Sequence, residues 1–464
     1  RDRSVSRGLG DVYKRQRSLY RWIGQSLCIT PGTIGGIKPD FSGFHHGGHY
    51  PAYSVPGYAS VGEVIGFGYD TQFEICQEGK EVFKEALMAV GRYSNQVDWG
   101  IGLCGRHPLN PTNQISAKAQ LAFAHLARAF TPVDRELASE FLRINQNTNS
   151  PFIKEFTDMG VVKSSPSGFF PYNWSCFGVF RNDNWMLSIK GYNKWVWGAE
   201  IYTSANRYGR YQSYGSTQII VGSEIDSRWE QPGWDWNRLP GTTTIHLPFE
   251  RLNSPSSGTL MQRSTETFSG ATELMGKYGM FATKIKEATT PTFTPSFVAR
   301  KSVFCVANRA VCIGTGIYNK QTNPSYVYPT ETTLFQQKLN QDSESFLWDG
   351  THIVEFPYRQ EEVTTGVTIL SDLTGNFYRI EGGQDVVLLK QEQESRNDET
   401  KTVTKGKFAT AYINHGIDPN NVDYEYMITV QATEEDKAGM DTKPYIILKK
   451  DNICLLYTSD AADD

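Results

Sequence analysis

Two short stretches of this 464-residue chain carry groups able to move protons beside an anion. The first is His45-His46-Gly47-Gly48-His49-Tyr50-Pro51-Ala52-Tyr53, and the second is Gly105-Arg106-His107-Pro108. The imidazole of His46 and the phenol of Tyr53 stand seven residues apart, with no Cys, Asp or Glu between them to act as a nucleophile. The guanidinium of Arg106 follows farther along. His, Tyr and Arg without a carboxylate pair suit proton abstraction next to an acid group better than hydrolysis, which points to elimination on an anionic sugar.

A uronic-acid glycan is cleaved in this way by removing the proton at C5 and expelling the oxygen at C4. The C5 proton is weakly acidic while the neighbouring carboxylate stays charged. A protein must therefore neutralise that carboxylate, place a base on one face and deliver an acid to the leaving oxygen. Tyr53 can serve as both base and acid. An ordinary phenol ionises near about 10, so cations beside it must favour the phenolate, and Arg106 with a protonated His46 would supply that field. Each residue also has a plainer reading: Tyr53 as one more packed ring among 24 tyrosines, His46 as a structural hydrogen-bonder. His45, His46 and His49 would make a metal site only with a carboxylate or thiolate to complete it, and none adjoins them.

A second rich region runs from Lys194 through Glu200-Ile201-Tyr202 and Asn206-Arg207-Tyr208 to Trp236-Asn237-Arg238. Aromatics interleaved with Arg and Asn offer stacking faces and anion contacts. Arg207, Trp236, Asn237 and Arg238 are candidate substrate contacts here, joined by His45 and His107 from the first two stretches. Glu200 is a candidate partner for an arginine, holding its fork in place. The competing reading makes this region half-buried strands whose tryptophans fill a domain interface.

A net charge of −4 provides no global basic field, so a polyanionic ligand needs a local basic groove. Nucleic acid is not an expected partner, because the chain has no Lys/Arg stripe and no binding motif. No apolar run approaches the roughly 18–20 residues that cross a bilayer, so no membrane insertion is expected. The seven cysteines are odd in number and scattered, resembling neither a metal knuckle nor a disulfide framework. Cys305 and Cys312 lie in neighbouring strand-like runs and read as buried thiols, with pairing as the alternative. Residues 1–16 and the tail 455–464 resemble translated adapter read-through and are set apart from the fold.

From about 17 to 150 the periodicity is helical. Phe83, Ala86, Leu87 and Val90 recur at helix spacing, with Gly91 loosening the end of that helix. Leu121, Ala124, His125, Ala127 and Ala129 form an Ala-rich run, and Thr131-Pro132 reads as the start of a helix carrying Leu137, Phe141 and Ile144. The polar stretch 145–151 breaks the pattern, and the expected domains are 17–160 and 161–454. Beyond the break the pattern is β: Val303 to Ile313 turning at Asn308-Arg309, Tyr378 to Leu389 turning at Gly382-Gly383, and Tyr424, Tyr426 and Ile428 in alternation. The charged stretch 394–407 reads as a solvated loop. The expected fold class is α+β and multidomain, an α/α array followed by an antiparallel sandwich.

At these residues the chain resembles polysaccharide lyase family 8, and within it the broad-specificity chondroitin lyases. The resemblance rests on residues 46–53, 105–108, Glu200-Ile201-Tyr202, 206–213 and 233–238, continuing through 244–248 and 260–263. It implies an incomplete α/α toroid followed by antiparallel β-sandwich domains. It also implies that His46, Tyr53, Arg106 and Glu200 are catalytic, with Glu200 reaching Arg106 from the sheet half. Sulfated glycosaminoglycan is the implied partner: chondroitin sulfate, with dermatan sulfate and hyaluronan as further substrates. The protein would be a monomer, secreted or periplasmic in a bacterium, with no required cofactor and with calcium or another divalent cation as an aid. Relatives tend to carry Arg where this chain has His45, and the toroid helices and β domain upstream in the family are missing from this stretch. Two other classes compete. A glycoside hydrolase needs facing carboxylates, and Asp70, Glu85 and Asp98 offer no evident pair. A non-catalytic glycan-binding protein would keep the fold without turnover.

Overall fold

A computed structural model describes the chain except for residues 1, 111–112, 223–225, 288–295, 322, 324, 326, 452–454 and 460–464. Cys454 and the end of the adapter-like tail thus lie outside the described residues. The chain forms two compact units, Arg1–Trp99 with Pro111–Pro166, and Gly100–Asn110 with Ser167–Asp464.

The first unit is helical: α1 (Asp2–Ser26), α2 (Pro51–Gly68), α3 (Gln77–Arg92), α4 (Ala117–Arg128), α5 (Arg135–Ile144) and α6 (Pro151–Asp158). In α3 the residues at three- and four-residue spacing, Phe83, Ala86, Leu87 and Val90, are all buried. Leu137, Phe141 and Ile144 form the equivalent face of α5. That helix begins later than Thr131-Pro132. Asp134 is the side chain that meets the orphan amides, accepting from Glu136 N and Leu137 N at 3.0 Å, a cap worth ~1 kcal/mol. Gly91 stands one residue before the end of α3, where a close approach requires it. A Cβ there would lie 1.9 Å from Glu140 Oε1 of α5, and Arg143 donates to the Gly91 carbonyl at 3.1 Å. α1 runs through the stretch set apart in the sequence, and its Tyr20 ring contacts Phe73 at 5.6 Å.

The second unit is built from antiparallel sheets. A five-stranded sheet has the order Thr243–Ile245, Thr330–Lys338, Val403–Asn414, Asp385–Arg396, Tyr358–Val363. A nine-stranded sheet contains Val298–Val306, Arg309–Tyr318, Asn420–Thr429 and Phe377–Ile380. The two sheets meet through Phe335, whose ring lies 5.7 Å from Tyr378 and 6.2 Å from Phe346. Tyr424, Glu425, Tyr426, Met427 and Ile428 are all buried, because their strand is flanked on both edges and covered on both faces.

Three expectations need correction. Val306 pairs with Arg309, so that turn is Ala307-Asn308, with Ala307 in the left-handed region. Gly382-Gly383 is a crossover, since Phe377–Ile380 and Asp385–Arg396 belong to different sheets. The stretch 394–407 is a hairpin and not a loop: Glu392 and Glu394 face solvent while Gln393 and Ser395 are buried, a two-residue alternation hidden by its charge. Cys305 and Cys312 are buried free thiols.

Candidate active site

In the first unit the strands Gly43–His45 and Gly48–His49 pair as Phe44 with His49 and His45 with Gly48. That leaves His46-Gly47 as a two-residue turn with φ of 54° and 79°, the double positive φ of a type I′ hairpin. Gly is unrestricted there, and His is among the few side chains that visit the region. The chain then enters α2 directly. Pro51 occupies the first helical position, where its missing N–H is not needed, and Tyr53 falls in the first turn. His45 stacks on Tyr53 at 4.3 Å between centroids, and His46 lies 4.1 Å from His45 and 5.3 Å from Tyr53. Tyr50 meets Tyr53 edge-on at 4.8 Å. Tyr50 is buried and Tyr53 is 37% exposed. His49 belongs to the core instead, its ring 4.9 Å from Tyr93. Among the described residues no three His, Cys, Asp or Glu side chains gather as a metal site.

In the second unit Arg106 sits on the strip Gly100–Asn110, which belongs to the sheet-bearing unit although helical segments flank it in sequence. Hydrogen bonds explain this. Gln212 Nε2 donates to Ile101 O at 2.9 Å, Gly102 N donates to Gln218 Oε1 at 3.3 Å, and Asn206 Nδ2 donates to Gly105 O at 3.0 Å. Glu200 is fully buried on the strand Ala199–Ile201, opposite Met261. Its Oε2 lies 3.8 Å from Arg106 Nη1. The guanidinium also lies 5.8 Å from the Tyr202 ring centre, and its Nε donates to His107 Nε2 at 3.3 Å. Burial and then the charge of Arg106 push the His107 imidazole below its ordinary value, in keeping with a ring nitrogen that accepts. Arg106 is thereby held by a carboxylate, a phenol ring and an imidazole while its side chain stays 22% exposed.

The four candidate substrate contacts of the second unit are each held by protein partners. Trp236 is buried, donating from Nε1 to Arg396 O at 3.0 Å, so its faces are closed to a sugar. Asn237 bridges to Leu247 with both ends of its amide, at 3.0 and 2.9 Å. Arg207 is buried with Asn253 Oδ1 at 3.2 Å. Arg238 grips Glu331 with two bonds of 2.8 and 3.0 Å and Asp235 with one of 3.1 Å. His246 completes this cluster through Nδ1, 3.0 Å from Glu331. Burial alone would push the Glu331 carboxyl up, but Arg238 and His246 outweigh it and hold it down to about 2. Asp235, Asn237, Arg238 and His246 line a cleft of about 480 Å³. Asn206 and Gln212 fall in the stretch 206–213 that the sequence marks, but the bonds these two amides and Gln218 make to the strip span more than a hundred residues and carried no signal there.

Residues 12–151 match the family model described as Lyase, catalytic, and residues 172–439 match that of polysaccharide lyase family 8, super-sandwich domain. A chondroitin sulfate ABC endolyase of Proteus vulgaris is 36% identical over 431 residues, 91% of this chain and 41% of that protein. A chondroitin sulfate ABC exolyase of the same organism is 31% identical over 445 residues, 91% of this chain and 43% of that protein. The chain thus spans under half the length of these curated relatives. Among solved structures, a Paenibacillus xanthan lyase superposes with a TM-score of 0.75 at 18% identity, over 92% of this chain and 42% of that one. A chondroitinase AC lyase gives 0.75 at 18% identity, over 94% and 61%. These likenesses show the fold, part of an α/α toroid followed by antiparallel sandwich sheets.

Proposed function

The chain belongs to polysaccharide lyase family 8, and on that footing we propose that the whole protein is a glycosaminoglycan lyase. It cleaves chondroitin sulfate by β-elimination at the uronic acid, with dermatan sulfate and hyaluronan as further substrates. One observation carries the reading: a part-exposed Arg106 fixed 3.8 Å from a fully buried Glu200. A guanidinium so held is a preorganised positive charge for the uronate carboxylate, and preorganisation is what such catalysis needs.

Tyr53 as phenolate takes the C5 proton, with His45 and His46 on ring contact with it. The electron pair left at C5 forms the C4–C5 double bond as the C4–O bond breaks, and the Tyr53 hydroxyl returns the proton to the departing oxygen. Glu200 does not touch the sugar; it keeps the Arg106 fork oriented. No step runs through a metal ion. Hydrolysis would call for two facing carboxylates, and Glu85 of the helical unit is paired with Arg92 at 3.6 Å.

The test is product analysis with defined chondroitin, dermatan and hyaluronan substrates on the full-length protein. Unsaturated uronate, seen as new ultraviolet absorbance, is expected, and Tyr53→Phe is expected to abolish it. Saturated ends alone would overturn elimination. Binding without turnover, weakened by Arg106→Ala and untouched by Tyr53→Phe, would favour a glycan-binding protein of the same fold.

A further inference from the structure

We infer that Asn206 is a positioning residue that sets the Arg106 loop and the Glu200 strand in register with each other. The inference rests on the reading of Arg106 and Glu200 as catalytic. Asn206 is fully buried. Its Nδ2 faces three acceptors: Gly105 O and Glu200 O, each at 3.0 Å, and Gln212 Oε1 at 2.6 Å. The first is the carbonyl just before Arg106, and the second is that of Glu200 itself. One amide therefore ties together the backbones from which both members of the ion pair project. Gln212 extends the tie through its own Nε2 to Ile101 O.

The residue type follows from two demands at one position. The backbone of Asn206 has a φ of 50°, in the left-handed region that Gly, Asn and Asp accept most readily. The side chain must also donate to several carbonyl-type oxygens in a site closed to water. Gly meets the first demand alone, and Asp would turn a carboxylate toward three acceptors. Asn meets both. The surroundings are fitted to it: a Cβ on Gly209 would lie 1.8 Å from Asn206 Oδ1, and Asp398 Oδ2 accepts from Asn206 N at 3.1 Å. A shift of about 1 Å in a positioning group lowers turnover by about 100-fold. Without the amide the Arg106 loop keeps its Gln212 and Gln218 bonds to Ile101 and Gly102 but loses the one nearest Arg106.

The experiment uses Asn206→Gly in the full-length protein, which preserves the backbone preference and deletes the amide. The expected result is a kcat reduced by about 100-fold with KM changed by less than about threefold. A second readout does not depend on turnover. In the intact loop Arg106 donates to His107; on release, the His107 imidazole titration followed by NMR is expected to rise toward the ordinary value of about 6.5. Wild-type kcat together with an unmoved His107 titration overturns the inference. Should the wild type itself form no unsaturated product, the lyase reading fails, and the His107 titration alone decides whether Asn206 holds the loop. If Asn206→Gly does not fold, Asn206→Asp keeps the size and the turn preference; a wild-type kcat there overturns the inference equally.

Discussion

Tyr53 gains its setting from neighbours only a few residues away. The hairpin tip at His46-Gly47 folds back onto the first turn of α2, and the short span from His46 to Tyr53 makes the ring cluster a local structure. His46 has two separable duties, a left-handed backbone and an imidazole beside a phenol. Asn accepts that backbone and a β-branched residue does not, at about 1–2 kcal/mol. Accordingly, His46→Asn is expected to keep the melting temperature of the wild type while His46→Val lowers it, and both are expected to lose turnover. Equal melting temperatures for the two variants would show that the turn stores no such preference. Glu200→Gln keeps the shape of the buried side chain and removes its charge; the expected loss is in kcat, by about 10- to 100-fold, measured against unchanged binding of chondroitin.

At the level of elements, close approaches between helices explain several small residues. α3 and α5 touch where Gly91 meets Glu140. Gly91→Ala is expected to destabilise by about 1–3 kcal/mol through overpacking, and a double-mutant cycle with Glu140→Ala, read by chemical denaturation, should show a smaller penalty in the second background. Additive effects would mean that the contact is not the cause. The helical faces were legible in the sequence because one buried stripe imposes a three- and four-residue rhythm, as with Phe83 to Val90. Other features were not. A cap is chosen by geometry, so Asp134 displaced Thr131-Pro132. Two glycines announce a turn without saying which sheet receives the next strand, so the crossover at Gly382-Gly383 looked like a hairpin. The charges of Glu392 and Glu394 masked the strand that bears them. Of the candidate site, the ring cluster follows from nearness in sequence, and the Arg106–Glu200 pairing was foreseen only through the family resemblance. The amides beneath it are uncharged, and nothing in the sequence paired them with the strip they seat.

Across the second unit, buried charge ties stability to pH through the cluster of Arg238, Asp235, Glu331 and His246. Glu331 is held down to about 2 from an ordinary 4.5. Its contribution is complete above the ordinary value and is lost as pH falls toward about 2. For His246, burial pulls the imidazole down, but Asp235 and Glu331 outweigh it and the value is raised. Its contribution is complete below about 6.5 and is lost as pH rises through the raised value. Melting curves of Glu331→Gln should therefore converge on the wild type in acid, and those of His246→Gln should converge in mild alkali. Curves that stay parallel at every pH would dissociate the cluster from stability.

The strip Gly100–Asn110 is encoded among helices and housed with sheets. Anyone grafting the helical half of one relative onto the sheet half of another, with a breakpoint near Pro166, would transplant Arg106 while leaving behind Asn206, Gln212 and Gln218, the amides that seat its loop. Chimaeras should then work only between parents whose recipient half supplies the same three amides. Evolution faces the same constraint: these two halves are not independent cassettes, and shuffling them moves a reactive group away from its mount.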